Sequence, residues 1–140
     1  MTGGSRGIGR ATALPLARAG ADVGITHLKR SAEAERVVAE IRALGRKSFA
    51  AGGDLGDPEK VDRVFQSVKG EFGRLDLLVG NVGIWPEQEV PLQSMDYSRW
   101  KATLSANLDA IFLTTKAALA LTPPPGGRVV ARRRHGRPAG

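Results

Sequence analysis

The residues with the most evident chemistry open the chain. Thr2-Gly3-Gly4-Ser5-Arg6-Gly7-Ile8-Gly9 forms a glycine-rich turn that runs straight into a helix. Glycine is needed where φ is positive or where a ligand must approach the backbone, and the free N–H groups of a helix start attract anions through the macrodipole. The segment reads as half of a phosphate-binding device, because the strand that should carry it has no room before residue 2. Three further sets could take part. Asp54-Leu55 follows Gly53, where an aspartate also suits a simple turn, and Asn81-Val82-Gly83 also suits loop punctuation. Asn107 lies between Leu104 and Ile111 on an apolar helical stripe, where an amide must find hydrogen-bond partners. Its plainer role is a core asparagine bonded to a backbone carbonyl.

Other chemistries find little support. The chain has no cysteine, which excludes disulfides and thiolate metal sites. His27 and His135 are far apart with no helical i, i+4 partner, so no metal site is expected. No basic segment followed by an apolar run opens the chain, and no apolar stretch reaches membrane-spanning length, so the expectation is a soluble cytoplasmic protein without a membrane partner. The formal charge of +7 invites comparison with nucleic-acid binders. However, Arg132, Arg133, Arg134 and Arg137 all fall within the last ten residues, which hold no acid, and no aromatic stacking residues accompany them. The body is only mildly basic, and no nucleic-acid partner is expected.

These residues need elements to position them, and the chain alternates helix and strand patterns. A helix from Ile8 to Ala19 should kink at Pro15 and stop at Gly20. A short strand at Val23 to Thr26 precedes a helix whose stripe is Ala34, Val37, Val38, Ile41 and Leu44. Lys47 to Ala51 is the next strand. Asp57 as N-cap and Pro58 at the first helical position open a helix bearing Val61, Val64, Phe65, Val68 and Phe72. Leu75 to Val79 is a continuous apolar run of the kind found in a strand covered on both faces. A loop through Trp85, Pro86 and Pro91 leads to a long helix from Tyr97 to Leu121, with a stripe of Trp100, Leu104, Leu108, Ile111 and Phe112. Arg128-Val129-Val130 begins another strand. The pattern predicts an α/β fold, a doubly wound parallel sheet with helices on both sides and right-handed crossovers.

Thr2-Gly3-x-x-x-Gly7-x-Gly9, Asp54-Leu55, Asn81-Val82-Gly83 and Asn107-Leu108 occur in the order and spacing of one family, and from Thr2 to Val130 the chain resembles the short-chain dehydrogenase/reductases, most of all the 3-oxoacyl-carrier-protein reductase branch. The resemblance implies an NAD(P)-binding Rossmann-like domain. It implies that Gly3, Ser5, Arg6, Gly7, Ile8 and Gly9 form the cofactor turn, that Asp54 and Leu55 lie at the adenine ring, and that Asn81, Val82 and Gly83 line the cofactor. Asn107 matches the catalytic-tetrad asparagine, which bonds a main-chain carbonyl and helps position a water of the proton relay. An NAD enzyme of this fold wants an acid after the second strand, whereas a 2′-phosphate wants Arg or Lys. Thr26-His27-Leu28-Lys29-Arg30 offers no acid there, so His27, Lys29 and Arg30, with Arg6, favour NADP over NAD. The alternative is that Lys29 and Arg30 are a solvated loop.

The implied activity is hydride transfer between NADPH and a small-molecule carbonyl or alcohol substrate. The family's catalytic Ser and Tyr-x-x-x-Lys follow the fifth strand and have no match here. Tyr97 and Lys101 have the motif's spacing at the wrong place in the fold and are expected to be a solvent-facing pair. The domain expectation is a partial Rossmann domain over 1–130 followed by an irregular Arg-rich tail over 131–140, better explained by a frameshift or truncation than by an evolved terminus. In the order 3-2-1-4-5-6 the absent first strand is central, so its two neighbours should lack a shared partner. The C-terminal strands and helices of the fold should be absent as well. The expectations are therefore an oxidoreductase fragment inactive by itself or, alternatively, a non-catalytic dinucleotide-binding module. Family members commonly form homo-oligomers through the helix at 97–121.

Overall fold

The computed structural model describes residues 1–85 and 88–132. Pro86 and the tail from 133 onward, with Arg133, Arg134, His135 and Arg137, lie outside the described residues. The first half alternates helix and strand as the pattern predicts. Helix α1 (Gly7–Arg18) runs unbroken through Pro15 and buries Gly9, Ala13, Leu14 and Ala17. Strand β1 (Val23–His27) pairs in parallel with β2 (Ser48–Gly52), in a register from Val23 opposite Ser48 to His27 opposite Gly52. Between them α2 (Ser31–Ala43) buries Ala34, Val37, Val38 and Ile41. Leu44, expected on that stripe, is exposed, because the helix ends at Ala43 and Leu44 becomes its cap.

Helix α3 (Pro58–Phe72) has the start its sequence dictates. The Asp57 carboxylate accepts from the Glu59 amide at 2.9 Å, Pro58 opens the first turn, and Gly73 closes the helix at φ 75°. Val61, Val64, Phe65 and Val68 form its buried face, and Phe72 packs on Phe49 with ring centroids 5.3 Å apart. Strand β3 (Leu77–Gly80) then pairs in parallel with β4 (Arg128–Ala131), Leu77 opposite Arg128 and Gly80 opposite Ala131.

The long helix is one rod in outline and three pieces in detail. α4 (Tyr97–Leu104) passes through a π-helical turn at Ser105–Asp109 into α5 (Ala110–Leu121). The Ser98 hydroxyl and amide hydrogen-bond the Asp96 carboxylate and hold it below its usual pKa, which caps the start of α4. The expected apolar stripe does not face the core: Trp100, Leu108 and Phe112 are exposed, while Ala110, Thr114 and Ala118 are buried. α5 is flush against the layer below, and small side chains permit that approach where large ones would hold it off. Tyr97–Leu121 is also long and apolar enough to cross a membrane by length and composition, contrary to the expectation from the sequence. Its buried Ala110 and Ala118 belong to the second core cluster, with Leu55, Val61, Val64, Phe65 and Leu78. The first cluster joins α1, β1 and α2.

The strands form two separate two-stranded sheets, as expected if their shared neighbour is missing. Met1 and Thr2 bridge the gap with strand-like bonds. The Met1 ammonium donates to Gly24 O at 2.9 Å, the Thr26 amide to Met1 O at 3.1 Å, and the Thr2 amide to Val79 O at 2.9 Å. Below Met1 the gap continues as a slot of 240 Å³ between β1 and β3, walled by Val23, Phe49, Phe65, Phe72 and Leu77. Desolvation lowers the buried Met1 ammonium from pKa 8.0 to about 6. The sheet is not covered on both sides throughout: Val129 and Val130 of β4 are exposed, since no helix packs over that edge among the described residues. Strand β4 also runs one residue past the domain boundary expected at 130.

Candidate cofactor site

The carboxyl ends of β1 and β3 open into one cleft of 660 Å³, the position where open α/β sheets receive ligands. Its floor is the glycine turn. Gly3 has φ 64° and Gly7 φ 53°, values that L side chains rarely adopt. A Cβ on Gly9 would lie 2.0 Å from Gly3 O, so the third glycine is required for the helix to close on the turn. A Cβ on Gly7 would meet nothing within 4 Å, which leaves that backbone open toward the cleft. α1 starts without a side-chain cap or an acid in its first turn, and its first internal bond is the Arg10 amide to Arg6 O. Among the described residues the amides of Gly7, Ile8 and Gly9 are thus the unpaired donors of a helix N-terminus, with the Arg6 side chain exposed beside them.

Thr2 ties this turn to the end of β3. Its hydroxyl oxygen accepts from the amides of Asn81 at 2.8 Å and Val82 at 3.0 Å, and its hydroxyl donates to Val79 O at 3.4 Å. The Asn81 carboxamide donates from Nδ2 to Thr2 O and Gly3 O at 3.1 and 3.3 Å. A Cβ on Gly80, the last residue of β3, would meet Ile111 Cδ1 at 2.3 Å. Ile111 fills the space that a side chain on residue 80 would need.

The basic loop after β1 forms one wall. Lys29 and Arg30 both line the cleft, but Arg30 Nη1 also donates to Glu33 Oε1 at 2.9 Å. The backbone amide of Glu33 and the Arg30 guanidinium hold the Glu33 carboxyl below its ordinary pKa. His27 Nδ1 is buried with no hydrogen-bond partner among the described residues. On the far side Asp54 performs the turn role that its sequence allowed, with Oδ1 accepting from the Gly56 amide at 2.9 Å, and it also lines the cleft with Leu55.

Asn107 sits within the π-helical turn, a geometry that often marks functional positions in helices. Its Nδ2 donates to Ile84 O at 2.9 Å and to Thr103 O at 2.8 Å, and its Oδ1 accepts from the Ile84 amide at 3.2 Å. Gly83 permits this approach, because a Cβ there would fall 2.6 Å from Asn107 Oδ1. Tyr97 lies apart, highly exposed, with Lys101 Nζ 5.7 Å from its ring centroid, as expected of a solvent-facing pair.

All fourteen residues that the sequence assigns to the cofactor line this one cleft. Sequence reasoning missed Thr26, Leu28, Gly53, Ile84, Ala106, Ala110 and Arg132, which line it too. Most of these flank assigned residues, so widening each motif by one position would have found them. Arg132 carries no such signal, since it stands in a run of arginines. The residues present fit a dinucleotide: open backbone over Gly7, free helix amides and a basic wall offer what phosphates and ribose require.

Relatives agree with the geometry. The family model for short chain dehydrogenases matches residues 1–131. A 3-oxoacyl-[acyl-carrier-protein] reductase of Synechocystis is 39% identical over 117 residues, which is 84% of this chain and 47% of the relative. A Staphylococcus aureus 3-oxoacyl-[acyl-carrier-protein] reductase is 38% identical over 112 residues, 80% of this chain and 45% of its own. The solved structure of a Burkholderia cenocepacia short chain dehydrogenase in complex with NADP superimposes with TM-score 0.85 at 42% identity, covering 93% of this chain and 52% of that one. The chain spans about half the length of the relatives it matches. It belongs to the short-chain dehydrogenase family.

Proposed function

We propose that this chain forms the cofactor-binding half of an NADP(H)-dependent short-chain oxidoreductase that acts on a small carbonyl or alcohol, with a cytoplasmic location. The observation that carries the reading is the convergence in one cleft of the free α1 amides, Arg6, Lys29, Arg30 and Asp54. In this reading the α1 amides and Arg6 hold the pyrophosphate, Lys29 and Arg30 take the 2′-phosphate, and Asp54 faces the adenine. Bound, the nicotinamide supplies a hydride to a carbonyl carbon or accepts one from an alcohol. Asn107 holds the Ile84 backbone and so shapes the loop bordering the reacting end. Two relatives solved with NADP or NADPH, at 42% and 34% identity, support NADP over NAD.

The chain's one tyrosine, Tyr97, is exposed and does not line the cleft. We therefore assign binding without turnover to the isolated chain. Incubation with NADPH and a 3-oxoacyl thioester should give saturable nucleotide binding and no loss of nicotinamide absorbance. Steady oxidation of NADPH would refute the assignment. Trp100, Leu108, Phe112 and Leu119 are exposed apolar side chains on the helix running from Tyr97 to Leu121, and we assign them to contact with a second copy of this chain.

A further inference from the structure

We infer that Arg132 is a positioning residue for cofactor binding, acting through Asn81 on the glycine turn; the ligand half of this inference rests on the dinucleotide reading above. The Arg132 amide donates to Gly80 O at 2.8 Å, which continues the β3–β4 ladder one residue beyond Ala131. That bond fixes the backbone from which the side chain reaches across, and Arg132 Nη1 donates to Asn81 Oδ1 at 2.8 Å.

A guanidinium has only donors, so it accepts nothing from the amide and dictates that Oδ1 faces it. Asn81 Nδ2 is then turned to the opposite side, where it donates to Thr2 O and Gly3 O. This nitrogen lies inside the turn: a Cβ on Gly3 would meet it at 3.2 Å and one on Gly9 at 2.9 Å. The carboxamide is therefore a wedge between the first and third glycines, and Arg132 anchors it from the side opposite the two turn carbonyls. Without the guanidinium the amide is held only by the two turn carbonyls and swings out of the turn more often. The 3.3 Å bond to Gly3 O weakens, and the α1 amides that follow lose their fixed aim. The three segments concerned are far apart in sequence, so only the fold brings this relay together.

The test compares R132A, R132K, N81A and the R132A/N81A double variant by amide hydrogen exchange without nucleotide and by binding of NADPH and NADH. R132A should speed exchange at residues 3–9 while α2 and α3 keep wild-type rates. It should weaken NADPH and NADH by the same factor, about tenfold, because the turn serves the part that both share. In the N81A background the same change should cost less than about twofold, and R132K should restore part of the affinity. Unchanged exchange and affinity in R132A would overturn the inference, as would faster exchange spread evenly over the chain. If wild type binds neither nucleotide, the dinucleotide reading fails, and the exchange of residues 3–9 still decides whether Arg132 orders the turn.

Discussion

The Asn107 carboxamide pairs with Ile84 as a strand neighbour would, donating to its carbonyl at 2.9 Å and accepting from its amide at 3.2 Å. One side chain thereby takes both polar groups of a loop residue, and it can do so only because the π-helical turn and Gly83 bring the segments together. Truncation leaves Ile84 without either partner. N107A should lower stability by about 1–3 kcal/mol in urea unfolding, and N107D should cost at least as much because an acceptor then faces two carbonyl oxygens. Wild-type stability in both variants would show that water serves Ile84 equally well.

Gly7 and Gly9 should respond differently to alanine. G9A drives a methyl into Gly3 O and should destabilise the fold by more than about 2 kcal/mol. G7A meets no atom but keeps a positive φ, so its cost to folding should be about 1 kcal/mol. Its methyl would occupy the open space over the turn, so nucleotide affinity should fall further than stability. Parallel melts and NADPH titrations check both.

The buried Met1 ammonium predicts a pH dependence with a definite sign. Its pKa is about 6 in the folded chain against 8.0 ordinarily, so between these values the unfolded chain binds more protons. Stability should rise as pH increases from 6 to 8, by up to about 3 kcal/mol in total, with the penalty fully present below pH 6. Acetylating the N-terminus removes the charge, keeps one N–H for Gly24 O and places the acetyl group in the slot. Urea unfolding of both forms should differ by this slope, and identical profiles would contradict the burial.

Arg30 is shared between Glu33 and the cleft, so the two residues should oppose each other in nucleotide choice. R30A should weaken NADPH by about tenfold while leaving NADH nearly unchanged. E33Q frees the guanidinium and should strengthen NADPH binding. Equal effects on the two nucleotides would place Arg30 in the solvated loop instead.

The exposed apolar side chains of the helix from Tyr97 to Leu121 should drive self-association. Sedimentation of the wild-type chain should show dimers or larger species, and F112E should shift them toward monomer. Persistence of the same species in F112E would remove α5 from the contact.

The alternating elements, the N-cap at Asp57 and the grouping of fourteen residues in one cleft were legible because each rests on local chemistry: turn glycines, N-caps and short apolar runs. The split sheet was legible too, from the place of the glycine turn at residue 2. The orientation of α5 was not. Apolar period counts large side chains, yet packing distance decides the buried face, and here Ala110, Thr114 and Ala118 won over Leu108 and Phe112. Nothing in Ser105-Ala106-Asn107-Leu108-Asp109 announces a π-helical turn, which depends on the loop that Asn107 meets. Arg132 was hidden by its neighbours, because a run of arginines reads as solvated charge until a strand register carries one of them into the cleft.

Calorimetric titration of the wild-type chain with NADPH and NADH at low and moderate salt decides whether the cleft between β1 and β3 is an NADP site. NADPH should bind saturably and one-to-one, NADH at least about tenfold more weakly, and the preference should narrow as salt screens Lys29 and Arg30. No heat with either nucleotide, or a preference for NADH, would contradict an NADP site there.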